Sequence, residues 1–283
     1  MCMGFGCNAC GVIGCRIIDS PRERLIAILT NNFVPCNGRF PTLIAIIAMF
    51  FTGLVSEPFR SPVSALILTA VILFGVFMTL VISKFLSKTV LKGMPSSFHL
   101  ELPPFRRPQI GRVIVRSILD RTLFVLRRAV AVAAPAGLVI WLLANVKAGD
   151  KSLLASCAGF LDPFARLFGL DGYILTAFVL GFPANEIVVP IIIMSYMATG
   201  TLTNYSSFAQ LHTLFAAHGW TWLTAVCVML FSLLHWPCGT TCLTIRKETQ
   251  SLKWTAAAAA IPTASGFLVC LLVASTARLF GLA

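Results

Sequence analysis

The feature that most constrains this chain is the recurrence of long apolar runs. They cover residues 40–55, 62–83, 129–146 and 255–273. A helix of about 20 apolar residues crosses the roughly 30 Å hydrocarbon core of a bilayer. Hydrophobic residues make up 58% of the 283 residues and charged residues only 11%, which is too little polar surface for a water-soluble globule. The sequence therefore predicts an all-α polytopic membrane protein with about five membrane-crossing helices.

Proline and glycine interrupt three further apolar stretches. Pro35 and Gly38 separate the run at residues 24–34 from the next helix, and Pro237 and Gly239 interrupt residues 220–245. Proline lacks an N–H, so both stretches are predicted to be broken helices. Residues 172–196 carry the sequence PANE at their middle. This stretch is predicted to be a re-entrant hairpin of two half-helices, because a non-helical turn is tolerated at membrane depth only inside protein.

The formal charge of +12 is explained by membrane topology rather than by nucleic-acid binding. Ten Lys and Arg residues lie in residues 84–128 against two acidic residues, Glu101 and Asp120. Such loops stay on the cytoplasmic side of a bacterial cytoplasmic membrane. Residues 110–128 are expected to form an amphipathic helix on the inner leaflet, or else a plain linker helix. Threading from this loop places residues 57–60 and 147–171 outside and residues 246–253 inside.

Two pairs of motifs indicate an internal repeat. GFGCN at residues 4–8 precedes VPCNG at 34–38, and GFPAN at 181–185 precedes WPCGT at 236–240. The order is the same both times, and the threading makes the two broken helices cross in opposite directions. The prediction is an inverted-topology repeat: residues 1–61 form a partial first repeat, 62–128 a membrane helix and basic loop, and 129–283 the second repeat, and the family resemblance given below implies that these are gate repeats.

Thiols, amides and one carboxylate gather at these four motifs. Soft sulfur ligands favour late first-row divalent ions over magnesium or calcium, and a buried Glu186 would offset part of the ion's charge. Single membrane cysteines usually serve packing, but Cys36 and Cys238 each follow a helix-breaking proline. Glu186 could instead partner a helix end or His235, itself either a ligand or a hydrogen-bonded core residue. The predicted ion path consists of Cys7, Asn8, Cys36, Asn185, Glu186, Cys238, Thr241 and Cys242.

The sequence contains no GxxxxGK[ST] loop and no HExxH, GxSxG or GxGxxG motif. These are the recognised devices for nucleotide binding, metalloprotease and serine-hydrolase chemistry. We therefore expect a transporter rather than an enzyme.

Several longer motifs carry a resemblance to a known family. GFGCN at 4–8, SPRERL at 20–25, VPCNGRFP at 34–41, ELPPFRRP at 101–108, GFPANEIVVP at 181–190 and WPCGTT at 236–241 together resemble the bacterial ferrous iron transport protein B family. The likeness covers essentially the whole chain and corresponds to the C-terminal part of the family's membrane domain. It implies that Fe(II) is the transported ion and that Cys7, Cys36 and Cys238 line its path. Asn8 and Glu186 fall in the matching gate motifs.

The family's GTPase domain, its adjoining helical domain and its first membrane helices have no counterpart in this sequence. The resemblance thus implies that GTP acts through a separate domain, and that the chain is a split half, a truncated product or a fragment. Expected partners are a GTPase-bearing chain, small cytoplasmic accessory proteins, the lipid bilayer and further copies of the chain. Two alternatives stay open, a gate-domain transporter of a nucleoside or other organic solute and a non-transporting remnant. The ligand set accepts Fe(II), Mn(II) and Zn(II) alike.

Overall fold

The computed structural model describes residues 2–53, 57–91, 110–116, 123–148, 151–197 and 208–281. Within these ranges the chain is helical apart from a short hairpin of Lys147–Ala148 with Lys151–Ser152, which confirms the predicted all-α class. The α-helices are α1 (Cys2–Gly6), α2 (Asn8–Gly14), α3 (Pro21–Thr30), α4 (Phe40–Ile46), α5 (Glu57–Lys88), α6 (Ile110–Arg116), α7 (Phe124–Asn145), α8 (Leu153–Leu167), α9 (Gly172–Leu180), α10 (Val188–Met197), α11 (Phe208–Ala217), α12 (Trp222–Leu234), α13 (Gly239–Thr249) and α14 (Leu252–Leu279).

Helices α9 and α10 form the predicted hairpin. Asp171 caps α9 by accepting a hydrogen bond from the Ile174 N–H at 2.6 Å. The other carboxylate oxygen of Asp171 accepts a hydrogen bond from the Tyr196 hydroxyl, near the end of α10. The hairpin therefore begins and ends at the same place, and its turn, at residues 181–184, lies at the far end. A 3₁₀ turn at Asn185–Ile187 leads into α10.

Helices α1 and α2 form a shorter hairpin around Cys7. A Cβ placed on Gly14, at the end of α2, would lie 2.7 Å from the Met3 sulfur at the start of α1. The two ends of this hairpin therefore also meet. Each GFxxN motif thus lies at the turn of a helical hairpin.

Both predicted broken helices are confirmed. Helix α3 continues into a 3₁₀ turn at Asn31–Phe33, where the helical structure ends. Residues 34–39 are non-helical. Helix α4 follows and ends in a π-helical turn at Ile47–Phe51. Helix α12 ends at Leu234 and α13 begins at Gly239. We call residues 34–39 the first break and residues 235–238 the second break.

One side of the molecule carries an arginine-rich set of contacts. Arg16, just after α2, makes a bidentate pair with Glu248 near the end of α13, at 2.6 and 2.7 Å. Arg22, in the first turn of α3, donates hydrogen bonds to the carbonyls of Leu91 and, at 3.2 Å, Ser87, around the end of α5. The ends of α2, α5 and α13 and the start of α3 therefore lie on this one side.

The opposite side carries the open end of the second hairpin. Trp220, just before α12, donates a hydrogen bond through Nε1 to the Tyr196 hydroxyl at 2.7 Å. The first broken helix therefore starts on the arginine side, whereas the second starts on the opposite side and ends on the arginine side. The two repeats have inverted topology, as the sequence predicts.

The broken helices pack both within and between the repeats. Helix α3 packs against α5, which follows the first broken helix, and against α14, which follows the second. Helix α12 packs mainly against α14 and also against α5, and α13 packs against both α2 and α14. Gly75 lets α5 approach the 3₁₀ turn after α3, because a Cβ there would lie 2.6 Å from the Phe33 carbonyl oxygen. The side chain of Asn32, in the same 3₁₀ turn, donates to the His235 carbonyl at 2.6 Å, so the two breaks lie next to each other.

Three described helical segments are long and apolar enough to cross a membrane: 58–88, 222–249 and 252–279. A fourth is added if α8 and α9 are counted as one span, although the chain bends by 109° between them. The apolar run at 129–146 corresponds to α7. In the described part of the run at 40–55 the helix ends at Phe51. These 12 helical residues span about 18 Å at 1.5 Å per residue, which is too short to cross the membrane alone.

The basic loop is described only in part. Residues 110–116 of the predicted inner-leaflet helix are helical, while residues 92–109 and 117–122 lie outside the described ranges. The assignment of the loop to the cytoplasm stays a prediction, as do the boundaries of the proposed gate repeats.

Candidate functional site

The two breaks place cysteine thiols at the centre of the fold. In each, a proline that cannot donate a backbone hydrogen bond precedes a cysteine, Cys36 after Pro35 and Cys238 after Pro237. Helix α13 resumes directly after Cys238, which occupies its N-cap position. The ends of four helical segments therefore leave backbone groups free to bind side chains or an ion.

A similar backbone contact joins each break to its own hairpin. The N–H of Asn37 donates to the Gly6 carbonyl at 3.3 Å, and the N–H of Gly239 donates to the Phe182 carbonyl at 2.8 Å. Both donors follow the cysteine of their motif, whereas the acceptors differ by one position, since Gly6 is the third residue of GFGCN and Phe182 the second of GFPAN. These two bonds hold both hairpin turns beside the breaks.

The two hairpin asparagines are buried, as expected for residues of the site. The Asn8 amide contacts the Asn32 amide at 3.1 Å. Asn185 places Oδ1 3.4 Å from His235 Nε2, and its Nδ2 donates to the sulfur of Cys36 at 4.0 Å. Asn185 therefore links the second break to the thiol of the first.

His235 is a hydrogen-bonded core residue. It is 1% exposed, and its Nδ1 lies 2.8 Å from the Ser232 carbonyl oxygen. Since Nε2 faces Asn185, both ring nitrogens have partners within the protein. Of the two interpretations that the sequence left open, this geometry favours the core histidine.

Glu186 differs from expectation because its side chain is exposed rather than buried. Successive residues of a 3₁₀ turn point about 120° apart, so the inward-facing Asn185 turns its neighbour outward. The carboxylate still reaches the first break. A Cβ on Gly38 would lie 3.1 Å from Glu186 Oε2 and 4.0 Å from Cys36 Sγ. The absence of a side chain at Gly38 leaves a space between carboxylate and thiol.

The second break adds two further thiols and one hydroxyl group. Cys238 Sγ and Thr241 Oγ1 are 3.3 Å apart, and the Cys242 thiol donates to the Pro237 carbonyl at 3.6 Å. Because the helix has resumed, the Cys242 N–H also donates to the Cys238 carbonyl at 3.0 Å. Cys238 and Cys242 thus lie four residues apart on one face of α13.

The predicted ion-path residues make pairwise contacts. The Asn185 amide donates to the Cys36 sulfur at 4.0 Å, and Cys238 Sγ lies 3.3 Å from Thr241 Oγ1. Cys7, the third cysteine that the resemblance names, lies at the turn of the first hairpin. Among the described residues, no group of three or more His, Cys, Asp and Glu side chains is arranged to hold a metal ion.

Arg39 is the central residue that sequence reasoning missed. It follows Gly38 in the first break and is 0% exposed. Nη1 donates to the carbonyls of Asn32 at 2.8 Å and Leu233 at 2.7 Å, and Nη2 donates to the His235 carbonyl at 3.1 Å. The guanidinium of the first repeat therefore caps the carbonyl end of α12, which belongs to the second repeat. An ionisable residue between apolar helices was the available signal, because such residues are costly at membrane depth.

Comparison with known proteins was made at the level of families and of individual relatives. The family model described as nucleoside recognition, Gate, matches residues 126–252. The model for the ferrous iron transport protein B C terminus matches residues 68–120. No solved structure matches the chain.

Individual relatives align over nearly the whole chain. The Fe(2+) transporter FeoB of Staphylococcus aureus (strain COL) is 30% identical over 99% of this chain, and that of Methanocaldococcus jannaschii is 27% identical over 96%. An Fe(2+) transport protein A/Fe(2+) transporter FeoB fusion protein of Porphyromonas gingivalis is 23% identical over 89%. The chain spans 40% of the length of the first two relatives and 34% of the fusion protein.

Proposed function

Because this chain belongs to the ferrous iron transport protein B family and matches the C-terminal part of its membrane domain, we propose that it carries Fe(II) across the bacterial cytoplasmic membrane. It acts as the permease portion of a GTPase-linked transporter, and a GTPase-bearing domain or chain supplies the nucleotide chemistry. The observation that carries this proposal is the convergence of two inverted breaks, each with a cysteine, beside one carboxylate.

The ion path runs through the residues at the breaks and hairpin turns. Thiolate sulfur and a carboxylate oxygen suit a borderline divalent ion such as Fe(II), and neither Mg(II) nor Ca(II) bonds well to sulfur. The ion passes between Cys36 and Glu186 over Gly38 and is handed to the thiols of the other repeat. The residues proposed to line the path are Cys7, Asn8, Cys36, Asn185, Glu186, Cys238, Thr241 and Cys242.

The arginine side of the molecule faces the cytoplasm in this proposal. Arg16, Arg22 and the end of α13, with Arg246 and Lys247, lie there, in agreement with the positive-inside rule. The second hairpin then opens to the outside. Small accessory proteins act on the cytoplasmic side, an inference supported by the relative that carries a transport protein A segment in its name.

The experiment that tests this function is iron accumulation in cells that lack their own ferrous iron uptake. The chain is expressed with and without the GTPase-bearing chain, and radiolabelled ferrous iron is supplied under anaerobic, reducing conditions. Uptake above the empty-vector level with both chains present supports the proposal. Uptake at the empty-vector level in every combination would refute it, provided that the chain is present in the membrane fraction.

A nucleoside transporter is the second candidate, favoured by the description of the Gate family model. A nucleoside needs a cavity with several hydrogen-bonding groups. Two cavities, of about 670 and 620 Å³, are lined by residues away from both breaks. Radiolabelled uridine supplied to the same cells decides between the candidates, since the iron proposal predicts no uridine uptake.

A further inference from the structure

Arg39 places a permanent positive charge at the meeting point of the two breaks. The guanidinium stays protonated in proteins, and its side chain here is fully buried. Its partners are carbonyl oxygens and the amide oxygen of Asn32, the last at 3.1 Å from Nη2. Within the described part of the chain, no carboxylate lies within 4.0 Å of it, and Nε has no hydrogen-bond partner.

The same charge lies beside the proposed path. The Arg39 N–H donates to the Cys36 carbonyl at 2.9 Å, which closes a tight turn, and Nη2 lies 3.3 Å from the Trp236 carbonyl oxygen, two residues before Cys238. An ion that reaches either thiol therefore comes close to a fixed cation in a low-dielectric interior, where charge repulsion is strong.

We propose that Arg39 is the specificity-determining residue of this path, and that its buried charge excludes cations that cannot bond to sulfur. This inference rests on the proposed function. Every cation is repelled by the guanidinium, but Fe(II) and Zn(II) recover free energy by bonding to the thiolates of Cys36 and Cys238. Mg(II) and Ca(II) bind oxygen ligands and gain little free energy from sulfur, so the repulsion prevents them from binding in the path. A fixed arginine charge is a known kind of barrier in membrane pores.

Two substitutions remove the net positive charge at Arg39 in different ways. Arg39→Gln deletes the charge and keeps part of the hydrogen bonding. Asn32→Asp keeps Arg39 and places a carboxylate oxygen where the amide oxygen now accepts from Nη2, so the charge is neutralised in place. Arg39→Lys retains the charge but loses the planar fork that binds several carbonyls. Arg16→Gln is the matched control, because it removes an exposed arginine that lies outside both breaks.

The test measures ion flux into proteoliposomes that contain the full chain and its GTPase-bearing partner. Fe(II), Mg(II) and Ca(II) are supplied separately, each at the concentration that saturates Fe(II) flux in wild type, and the ratio of Mg(II) to Fe(II) flux is the readout. Because Fe(II) flux is then already maximal, removal of a repulsion that acts on every cation raises the Mg(II) flux alone. The ratio is expected to rise by about tenfold or more in Arg39→Gln and Asn32→Asp, a change equivalent to about 1.4 kcal/mol. It is expected to stay at the wild-type value in Arg39→Lys and Arg16→Gln. If Arg39→Gln fails to fold, Asn32→Asp provides the measurement.

A purely structural role would lower all fluxes together and leave the ratio unchanged, which would overturn the inference. A binding measurement separates this outcome from failure of the proposed function. Purified chain in detergent is titrated with Mg(II) alone, and binding is measured by isothermal titration calorimetry. If wild type shows no iron flux, the inference still predicts measurable Mg(II) binding only in the Arg39→Gln and Asn32→Asp variants. Equal Mg(II) binding by wild type would refute it.

Discussion

The side-chain amide of Asn185 donates a hydrogen bond to the sulfur of Cys36 at 4.0 Å, across the interface between the two repeats. Asn185 belongs to the second hairpin and Cys36 to the first break. The amide and the neighbouring Glu186 carboxylate thus come from one repeat and the Cys36 thiol from the other. The inverted arrangement thus gives the site its ligand types, and the predictions below test its parts.

Gly38→Ala should reduce iron uptake without removing any ligand. The new Cβ would lie 3.1 Å from Glu186 Oε2, which is closer than most carbon contacts, and it would fill the space beside the Cys36 thiol. We expect a loss of about tenfold, since overpacking of this kind commonly costs about 1–3 kcal/mol. Radiolabelled ferrous iron accumulation, corrected for the amount of protein in the membrane, measures the effect.

Gly159→Ala is the control for that substitution. Gly159 lies on α8, and a Cβ there meets nothing within 4 Å. Its uptake should equal that of wild type. Equal uptake by Gly38→Ala as well would show that the ion does not pass over Gly38.

Gly75→Ala should destabilise the fold, because α5 approaches the first repeat's 3₁₀ turn closely. The added Cβ would lie 2.6 Å from the Phe33 carbonyl oxygen and 3.2 Å from a Leu233 methyl carbon. Backbone cannot move aside as a flexible side chain can, so we expect a loss of about 1–3 kcal/mol in the free energy of unfolding. Denaturant unfolding in detergent micelles measures it. Gly137→Ala on α7, where nothing lies within 4 Å, should change little, and equal losses in both variants would contradict the packing described.

Tyr196→Phe should loosen the open end of the second hairpin. Its hydroxyl donates to Asp171 and accepts from Trp220 Nε1 at 2.7 Å, and both partners would lose this hydrogen bond. Losing a partner in a half-buried site commonly costs about 1–3 kcal/mol. Hydrogen–deuterium exchange at α9 and α10 should rise in parallel with the loss of stability.

Tyr173→Phe is the matched control. Tyr173 packs against Tyr196 with ring centroids 5.5 Å apart, but its hydroxyl makes no hydrogen bond within the described part of the chain. A loss of stability as large as that of Tyr196→Phe would show that ring packing, rather than the Asp171 hydrogen bond, closes the hairpin.

The breaks and hairpins could be predicted from the sequence because their causes are local. Pro35 and Pro237 remove backbone donors wherever they stand, and PANE cannot continue a lipid-facing helix. The inverted direction of the repeats also follows from sequence, because charged loops and alternate crossings constrain it. The structure confirms each of these features through contacts between distant residues.

The roles of Arg39 and Glu186 could not be predicted in the same way. The Arg39 guanidinium is held by the carbonyls of Leu233 and His235, about 200 positions away in the chain. The residues next to Arg39 in the sequence do not indicate these partners. The exposure of Glu186 depends on the direction in which each residue of the 3₁₀ turn Asn185–Ile187 points. The contacts of Arg39 arise only when the two repeats pack together.

The most direct test of the central claim is anaerobic ferrous iron uptake by Cys36→Ser and Cys238→Ser, each expressed with the GTPase-bearing chain. Cys157→Ser serves as control, because this exposed cysteine on α8 lies outside both breaks. The account predicts that uptake falls to the empty-vector level in the first two variants and stays at the wild-type level in the control. Wild-type uptake in both Cys36→Ser and Cys238→Ser, at equal protein levels, would contradict it.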